Sequence, residues 1–303
     1  MPLLVVGSIA YDTIKTPHGE KVDALGGSAV YFSIAASPPT PVRLVGVVGE
    51  DFDERHVDLL RSRSVDTSGI ERVPGGKTFR WTGQYSQDMN DRETLEVDLN
   101  VFEDFQPKIP DSFKDSRFVF LANAAPVTQL SVLDQVSGRP ELVVADTMDL
   151  WIKTQRDDLL TLIERIDGLV INDGEALLLS GEVNPIRAGR SVLEMGLALV
   201  VVKKGEHGAV LFTPDATVPL PAYPTACVKD PTGAGDSFAG AMMGHLTRAG
   251  RVEEEALKEA IVRGIVAASF TVEDFGVERL ASVSEAELEA RYDEYRGFLR
   301  VGS

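Results

Sequence analysis

A glycine-rich stretch directly before a helical pattern is the feature that most restricts what this chain can fold into. Residues 230–238 read DPTGAGDSF, and apolar residues continue at helical spacing, at Phe238, Ala241, Met242, Leu246 and Ala249. This spacing predicts a helix from about Gly235 to Ala249. Glycines at a helix start let backbone N–H groups converge on one point, where the helix dipole adds partial positive charge. We therefore predict an anion-binding turn at Gly233, Ala234 and Gly235.

Asp236 lies in the first turn of this predicted helix and faces the same point. Its carboxylate would repel a phosphate unless it accepts a proton from the group that attacks that phosphate. This favours a general base for phosphoryl transfer. A structural alternative stays open for the residues GAGD alone, because aspartate is common near helix starts.

The longer stretch DPTGAGDSFAGAMMGHL, residues 230–246, resembles the carboxy-terminal motif of the ribokinase-like (PfkB) carbohydrate kinases, usually D-T-x-G-A-G-D-x-F. The resemblance implies ATP as the phosphoryl donor and an anion hole formed by Gly233, Ala234 and Gly235. It implies that Asp236 deprotonates the attacking substrate hydroxyl and that Thr232 contacts the nucleotide.

Asp12 follows the first predicted strand. Residues 3–7 form a short apolar run closed by glycine, which is typical of a buried strand in a parallel sheet. Ligands bind outside the carboxyl ends of such strands, so Asp12 could accept hydrogen bonds from a polyol. A turn aspartate is the alternative. In the family, an aspartate at this spacing contacts sugar hydroxyls.

The segment GGSAVYFSIAA, residues 26–36, resembles the amino-terminal family motif G-G-x-x-x-N-x-A. There the glycine pair approaches the substrate closely and the asparagine binds it. Tyr31 stands where that asparagine would be, which departs from the pattern of kinases that act on ribose or fructose. The resemblance implies substrate contacts at Gly26, Gly27, Ser28 and Tyr31.

Two segments of alternating pattern, 78–85 and 94–99, are separated by turn residues 88–92 and predict a hairpin. In the family such strands form a lid that covers the sugar and excludes water. Arg80 and Trp81 either contact substrate or only decorate the hairpin. The resemblance implies one kinase domain over residues 1–303, with a lid from segments near 9–25 and 76–100 through which a homodimer could form.

From Phe118 onward, apolar runs alternate with helical patterns. This alternation predicts a parallel sheet with helices on both faces. With the family resemblance, the expected fold is α/β: a ribokinase-like three-layer α/β/α sandwich with a mostly parallel central sheet and a small β-sheet lid.

Asn172 and Glu175 lie three residues apart where a strand passes into a helix, and so share one face. They match the family motif N-x-x-E, in which the pair organises the triphosphate and Mg²⁺, largely through water; Mg²⁺ prefers few carboxylates and retained waters. A helix cap is the alternative.

Residues 199–212 read as a strand, a glycine-bounded turn and a second strand. In relatives this K-x-G-x-x-G turn, here with Gly205 and Gly208, lies under the phosphates and ribose of ATP. Lys203 or Lys204 could supply positive charge to the nucleotide.

Composition excludes several classes of protein. Lys and Arg total 30 against 47 Asp and Glu, a net charge of −17 that argues against non-specific binding to nucleic acid or anionic membranes. No apolar run is long enough to span a bilayer. The one cysteine, Cys227, rules out an internal disulfide framework, and the four histidines lack metal-ligand spacing. We expect a cytoplasmic protein without a nucleic-acid or membrane partner.

The predicted function is ATP-dependent, Mg²⁺-assisted phosphorylation of a hydroxymethyl group on a sugar or sugar-like molecule. A nucleoside kinase on the same scaffold is the alternative, because Tyr31, Phe32 or Trp81 could stack on a base. A dinucleotide-binding oxidoreductase is disfavoured, since Phe238 stands where G-x-G-x-x-G needs its last glycine. A non-catalytic sugar-binding regulator is disfavoured by the intact Asp236 and Glu175.

Overall fold

The computed structural model describes residues 2–300. In chain order its strands are β1 (Leu3–Val6), β2 (Ala10–Thr16), β3 (Gly19–Gly26), β4 (Val42–Gly49), β5 (Val65–Val73), β6 (Phe79–Tyr85), β7 (Arg92–Asp98), β8 (Phe118–Leu121), β9 (Leu142–Asp146), β10 (Gly168–Asn172), β11 (Leu199–Lys203), β12 (Ala209–Phe212) and β13 (Thr217–Leu220). Its α-helices are α1 (Ser28–Ala36), α2 (Glu54–Ser62), α3 (Pro126–Leu133), α4 (Asp149–Thr154), α5 (Arg156–Ile163), α6 (Asp173–Ser180), α7 (Pro185–Leu193), α8 (Ala234–Ala249), α9 (Glu254–Thr271), α10 (Glu278–Ser282) and α11 (Glu285–Phe298).

The central sheet of the described chain has nine strands in the order β13-β12-β11-β10-β9-β8-β1-β4-β5. From β11 to β5 the strands run parallel, whereas β12 and β13 are antiparallel to their neighbours. Strands such as β1 and β8 are buried along their whole length, because continuous apolar runs are covered on both faces. The mostly parallel sheet predicted from the sequence is therefore confirmed.

Helices cover both faces of this sheet. One core cluster joins the sheet to α1, α2 and α8 through α11, and the other joins it to α3 through α7. This arrangement is the expected three-layer α/β/α sandwich. Within one helical layer, α8 packs against both α1 and α9.

Glycines on α8 let it approach α1 closely. A Cβ added to Gly240 would lie 2.3 Å from the carbonyl oxygen of Phe32, and one added to Gly244 would lie 2.7 Å from that of Ala36. No larger residue fits at either position without displacing backbone. This contact fixes the helix axis of α8 against α1.

A second sheet has four strands, in the order β3-β2-β6-β7. The strands β2 and β6 pair in parallel, while the β2–β3 and β6–β7 pairs are antiparallel. The hairpin predicted from the alternating segments is present as β6 and β7. The sheet comes from residues 10–26 and 79–98, and its role as a lid stays a prediction.

None of the helices within residues 2–300 combines the length and the apolar character needed to cross a bilayer.

Candidate active site

The carboxyl ends of the parallel strands and the start of α8 meet at one edge of the central sheet. Asp146 ends β9, Asn172 ends β10 and Lys203 ends β11. The start of α8 lies directly beside them, because a Cβ added to Gly235 would be 2.9 Å from Lys203 Nζ. Ligands of α/β proteins bind outside the carboxyl ends of the strands. This edge is therefore the candidate site.

The turn before α8 needs glycine at position 233. Gly233 has a φ of 74°, a left-handed conformation, and a Cβ there would lie 2.3 Å from the ring of Tyr31. The N–H of Ala234 is bonded to the preceding turn at 3.2 Å. The N–H groups of Gly235 and Asp236 are next in the first turn, where the helix lacks carbonyl partners for its donors. These two groups are the donors best placed for an anion.

The carboxylate of Asp236 lies among charged groups at the start of α8. Burial raises the pKa of Asp236 to about 7, and the charge of Asp146 adds to this rise. The positive charges of Lys203 and Arg92 act in the opposite direction. A carboxylate that titrates near neutral pH is a better proton acceptor than an ordinary aspartate.

Lys203 supplies a buried positive charge beside the turn. Its Nζ lies 3.8 Å from Asp146 Oδ2. Burial lowers the pKa of Lys203, but the charges of Asp146 and its neighbours outweigh burial and raise it. The side chain therefore stays an ammonium group, next to the turn predicted to hold phosphate.

Asn172 and Glu175 form a reciprocal cap at the start of α6. Asn172 Oδ1 accepts a hydrogen bond from the N–H of Glu175 at 2.8 Å, and Glu175 Oε2 accepts one from the N–H of Asn172 at 2.7 Å. The helix-cap interpretation thus describes these atoms. It does not conflict with a role at a metal, because Glu175 Oε1 takes no part in the cap. Burial and the charge of Asp146 raise the pKa of Glu175 to about 7.

The acidic groups at this edge suit Mg²⁺ rather than an enclosed metal centre. Within residues 2–300, no group of three or more His, Cys, Asp and Glu side chains is placed to hold a metal ion. Mg²⁺ keeps several waters and takes phosphate oxygens as ligands, so one or two carboxylates suffice. Glu175 and Asp146, beside the predicted phosphate turn, fit that requirement.

Asp12 lies inside β2 and is only 5% exposed, so it is not a turn residue. A Cβ added to Gly26 would lie 1.9 Å from Asp12 Oδ2, which means that the carboxylate fills space that only glycine leaves. Burial raises the pKa of Asp12 to about 7, and the charges of Asp230 and Asp236 add to the rise. Asp236 is therefore close enough to Asp12 for its charge to raise the pKa of Asp12.

The start of α1 packs tightly on the end of β1. Gly27 has a φ of 95°, and a Cβ there would lie 2.5 Å from the carbonyl oxygen of Ser8. The N–H of Ser28 donates to Ser8 Oγ at 3.0 Å. This close approach explains the glycine pair and brings Ser28 to the same strand end.

Tyr31 is 1% exposed, and its hydroxyl makes no hydrogen bond within the described chain. Burial raises the pKa of Tyr31 well above its usual value, and the charges of Asp12 and Asp230 act in the same direction. Buried polar atoms usually have a partner. A substrate hydroxyl that entered beside Asp12 could supply one.

Arg80 links the second sheet to the body of the protein. It pairs with Asp23 and, at 3.2 Å, with Asp51, and its guanidinium lies 4.9 Å from the centre of the Tyr11 ring. Asp51 also accepts hydrogen bonds from the N–H and the hydroxyl of Thr78, both at 2.7 Å. These contacts give Arg80 a structural role, and its assignment to substrate stays a prediction.

The turn between β11 and β12 is tight and exposed on one side. Gly205 and Gly208 have φ values of 53° and 89°, and the N–H of Lys204 donates to the carbonyl of Gly208 at 2.7 Å. The turn begins directly after Lys203, so it starts at the candidate site. Its contact with a nucleotide stays a prediction.

The fold also brings to this site several residues that the sequence patterns did not assign to it. Asp230 is fully buried and accepts hydrogen bonds from the N–H groups of Thr232 at 2.8 Å and Gly276 at 2.9 Å. Arg92 comes from β7, with its guanidinium 5.3 Å from the centre of the Trp81 ring. Asp146 had one available indication, a carboxylate at the end of an apolar strand. No sequence pattern indicated Arg92, because its place at the site depends on packing between distant segments of the chain.

Comparison with known proteins agrees with this geometry. Residues 3–282 match the family model described as pfkB family carbohydrate kinase. A cytidine kinase of Thermococcus kodakarensis is 30% identical over 269 residues, which cover 87% of this chain and 94% of that protein.

Solved structures show the same fold. A nucleoside kinase of Burkholderia thailandensis in complex with inosine has a TM-score of 0.79 at 20% identity, covering 97% of this chain and 98% of the other. A putative ribokinase II from E. coli, solved with ATP and Mg²⁺, has a TM-score of 0.76 at 22% identity, covering 96% and 99%.

Proposed function

The chain belongs to the pfkB family of carbohydrate kinases, and we propose that it moves the γ-phosphoryl group of ATP to a hydroxymethyl oxygen of a sugar moiety, with Asp236 as general base. It is an ATP-dependent kinase by this membership. The observation that carries the proposal is the location of Asp236, at the start of α8 beside Lys203, with a pKa of about 7.

In the proposed reaction, the hydroxymethyl oxygen forms a bond to the γ-phosphorus while the bond to the β,γ-bridging oxygen breaks. Asp236 accepts the proton of the hydroxyl, and ADP leaves with the electron pair of the broken bond. The N–H groups of Gly233, Gly235 and Asp236 and the ammonium of Lys203 stabilise the charge on the transferring group, whereas the N–H of Ala234, also predicted for this role, donates to the carbonyl of Pro231. Of these, Gly235 and Asp236 have the best-placed donors.

Several residues are assigned to the nucleotide. Lys203 would face the phosphates, and Thr232 would contact the nucleotide beside the anion turn. Gly205 and Gly208 would lie on the ribose side of the nucleotide. Asn172 and Glu175 would hold Mg²⁺ through water. When bound, Mg²⁺ neutralises charge on the triphosphate.

We expect Glu175→Gln to raise the Mg²⁺ concentration needed for half-maximal rate, with little change in sugar KM. Glutamine keeps an oxygen for the N–H of Asn172, so the cap survives while the charge is lost. A Mg²⁺ titration of the initial rate measures this.

Glu287→Gln is the matched control, because Glu287 forms the same kind of capping box with Ser284 at the start of α11. Its titration should overlay that of wild type. If the Glu175→Gln titration overlays it as well, Glu175 only caps the helix.

We expect kcat/KM to fall about tenfold per pH unit below pH 7, as for any base that must be unprotonated. Asp236 has a pKa of about 7, so it gains a proton and loses activity as the pH falls through that value. A pH profile from 5.5 to 9 with saturating ATP measures this. Asp12 also has a pKa of about 7, so Asp12→Asn is the control. Its kcat/KM should still fall below pH 7 as in wild type, because Asp236 is unchanged. A wild-type profile that stays flat to pH 5.5 would exclude a base with a raised pKa.

The substrate contacts would come from Asp12, Gly26, Gly27, Ser28 and Tyr31. Asp12 supports a polyol because a buried carboxylate accepts hydrogen bonds from hydroxyls.

A nucleoside is the second candidate, favoured by the 30% identity to a cytidine kinase. Phe32 is an unsuitable stacking partner, because it is fully buried and stacks on Phe120 at 4.3 Å. Trp81 is partly exposed, so its ring is accessible for stacking on a base.

ADP release, screened over free sugars and nucleosides, tests the proposed function. A rate that depends on one class of acceptor identifies it. No release with any acceptor would favour a sugar-binding protein without catalysis.

We also propose that residues 1–303 act as one kinase domain, with the second sheet as its lid. Leu95 and Val97, 46% and 49% exposed on β7, support a homodimer through that sheet. A cytoplasmic location stays a prediction from the single cysteine.

A further inference from the structure

The second sheet touches the phosphate turn through one hydrogen bond between side chains. The hydroxyl of Tyr85, the last residue of β6, lies 3.0 Å from Thr232 Oγ1. Both residues are only 9% exposed. The Tyr85 ring also packs in a small cluster with Ile14 of β2 and Phe275, which follows α9. The second sheet is therefore fastened to the body next to the anion turn.

Thr232 connects this fastening to the catalytic turn. Its N–H donates to Asp230 Oδ1 at 2.8 Å, and Asp230 Oδ2 accepts the N–H of Gly276 at 2.9 Å. The next residue is Gly233, where the turn adopts its left-handed conformation. Thr232 is thus held by Asp230 through its N–H and its hydroxyl, and by Tyr85 through its hydroxyl, directly before the anion turn.

We propose that Tyr85 is a positioning residue: with the second sheet closed on the body, its hydroxyl fixes Thr232 and so aligns the anion turn for phosphoryl transfer. When the sheet lifts, the Thr232 hydroxyl keeps only its contact with Asp230 and the turn relaxes. The phosphates are then well aligned only while water is excluded, which favours transfer to the substrate over hydrolysis. The role of Tyr85 rests on the proposed function.

The strength of the bond suits a contact that opens in each cycle. A neutral hydrogen bond changes an equilibrium by a factor of about 2 to 13. That is enough to bias the sheet toward closure and too little to keep it shut.

Four variants separate the hydroxyl contact from packing. Tyr85→Phe keeps the ring in its cluster and removes the hydroxyl. Thr232→Val removes the partner at nearly constant shape, and Thr232→Ser keeps a hydroxyl. Tyr223→Phe is the matched control, because its hydroxyl bonds Glu294 at 2.6 Å on α11.

We expect Tyr85→Phe and Thr232→Val each to lower kcat about 2- to 13-fold, with ATP KM little changed. The ratio of ADP released without acceptor to ADP released with acceptor should rise in both, which mere loss of stability would not cause. The double variant should be no slower than Thr232→Val alone, because both substitutions remove the Tyr85–Thr232 bond and Thr232→Val also removes the hydroxyl contact with Asp230. Thr232→Ser should restore most of kcat, and Tyr223→Phe should behave as wild type.

Amide hydrogen exchange gives a readout that needs no turnover. Amides of residues 79–98 should exchange faster in Tyr85→Phe and Thr232→Val than in wild type or Tyr223→Phe.

Unchanged kcat and unchanged exchange in Tyr85→Phe would overturn the positioning role. So would independent, multiplicative effects of the two substitutions. If wild type releases no ADP with any acceptor, the proposed function fails, and the role of Tyr85 fails with it. If wild type turns over and the variants match it, only the role of Tyr85 fails.

Discussion

Asp236→Asn is expected to lower kcat by about two to four orders of magnitude, the range for a lost general base. Asparagine has nearly the same shape but cannot accept the proton of the attacking hydroxyl. ATP binding should be largely intact, because the donors of the turn are backbone groups and Lys203 is unchanged. Steady-state kinetics and ATP titration of the purified variant measure both quantities.

Asp293→Asn, on the exposed side of α11, is the matched control and should turn over as wild type does. Wild-type kcat in Asp236→Asn would remove Asp236 from the mechanism and leave the structural interpretation of the GAGD turn.

A folding control comes from the pKa of Asp236, which is about 7 in the folded protein against a usual value of 3.8. Between these values the folded chain keeps a proton that the unfolded chain releases, so the contribution of Asp236 to stability falls as pH rises through this window. Asp236→Asn should therefore melt no lower than wild type at pH 8. If Asp236→Asn melts at a lower temperature than wild type at pH 8, its lost activity is explained by lost stability.

Asp12→Ala is expected to weaken sugar binding about 10- to 150-fold at pH 8 or above, where Asp12 with its pKa of about 7 is ionised, because a hydrogen bond to a charged group contributes about 1.5–3 kcal/mol. The ATP KM should not move. If the loss is uniform binding it appears in sugar KM, whereas a lower kcat means that Asp12 also orients the attacking oxygen. Titrating sugar and ATP separately distinguishes the two.

Asp12→Asn is the conservative companion to this variant. It fills the space beside Gly26 and keeps hydrogen-bonding capacity, so its loss should be smaller than that of alanine. Unchanged sugar KM and kcat in Asp12→Ala would show that Asp12 only packs against Gly26, and the sugar would have to be sought near Arg80 and Trp81.

Local patterns in the sequence predicted local structure well. The helix predicted from about Gly235 to Ala249 is α8, Ala234–Ala249. The helix cap given as an alternative role for Asn172 and Glu175 is present at the start of α6. These features depend on residues within one turn of each other, so spacing alone reveals them.

Contacts between distant segments could not be predicted in this way. Arg80 reaches Asp51, Lys203 reaches Asp146, and Tyr85 reaches Thr232, each across a long separation in the chain. Such pairs follow from how the two sheets and the helices pack, which hydrophobic periodicity does not encode.

The short outer strand β13 has a consequence for how the protein behaves in crowded solution. It is the last strand of the central sheet, and it contains Pro219, which pairs with Val210 of β12. A sheet border with free amide groups invites edge-to-edge pairing with another polypeptide, which can start aggregation. Proline occurs in border strands with its missing N–H on the solvent side. Pro219 therefore removes one backbone N–H donor from this edge strand. Pro219→Val would restore that donor and favour pairing of β13 with an edge strand of another molecule.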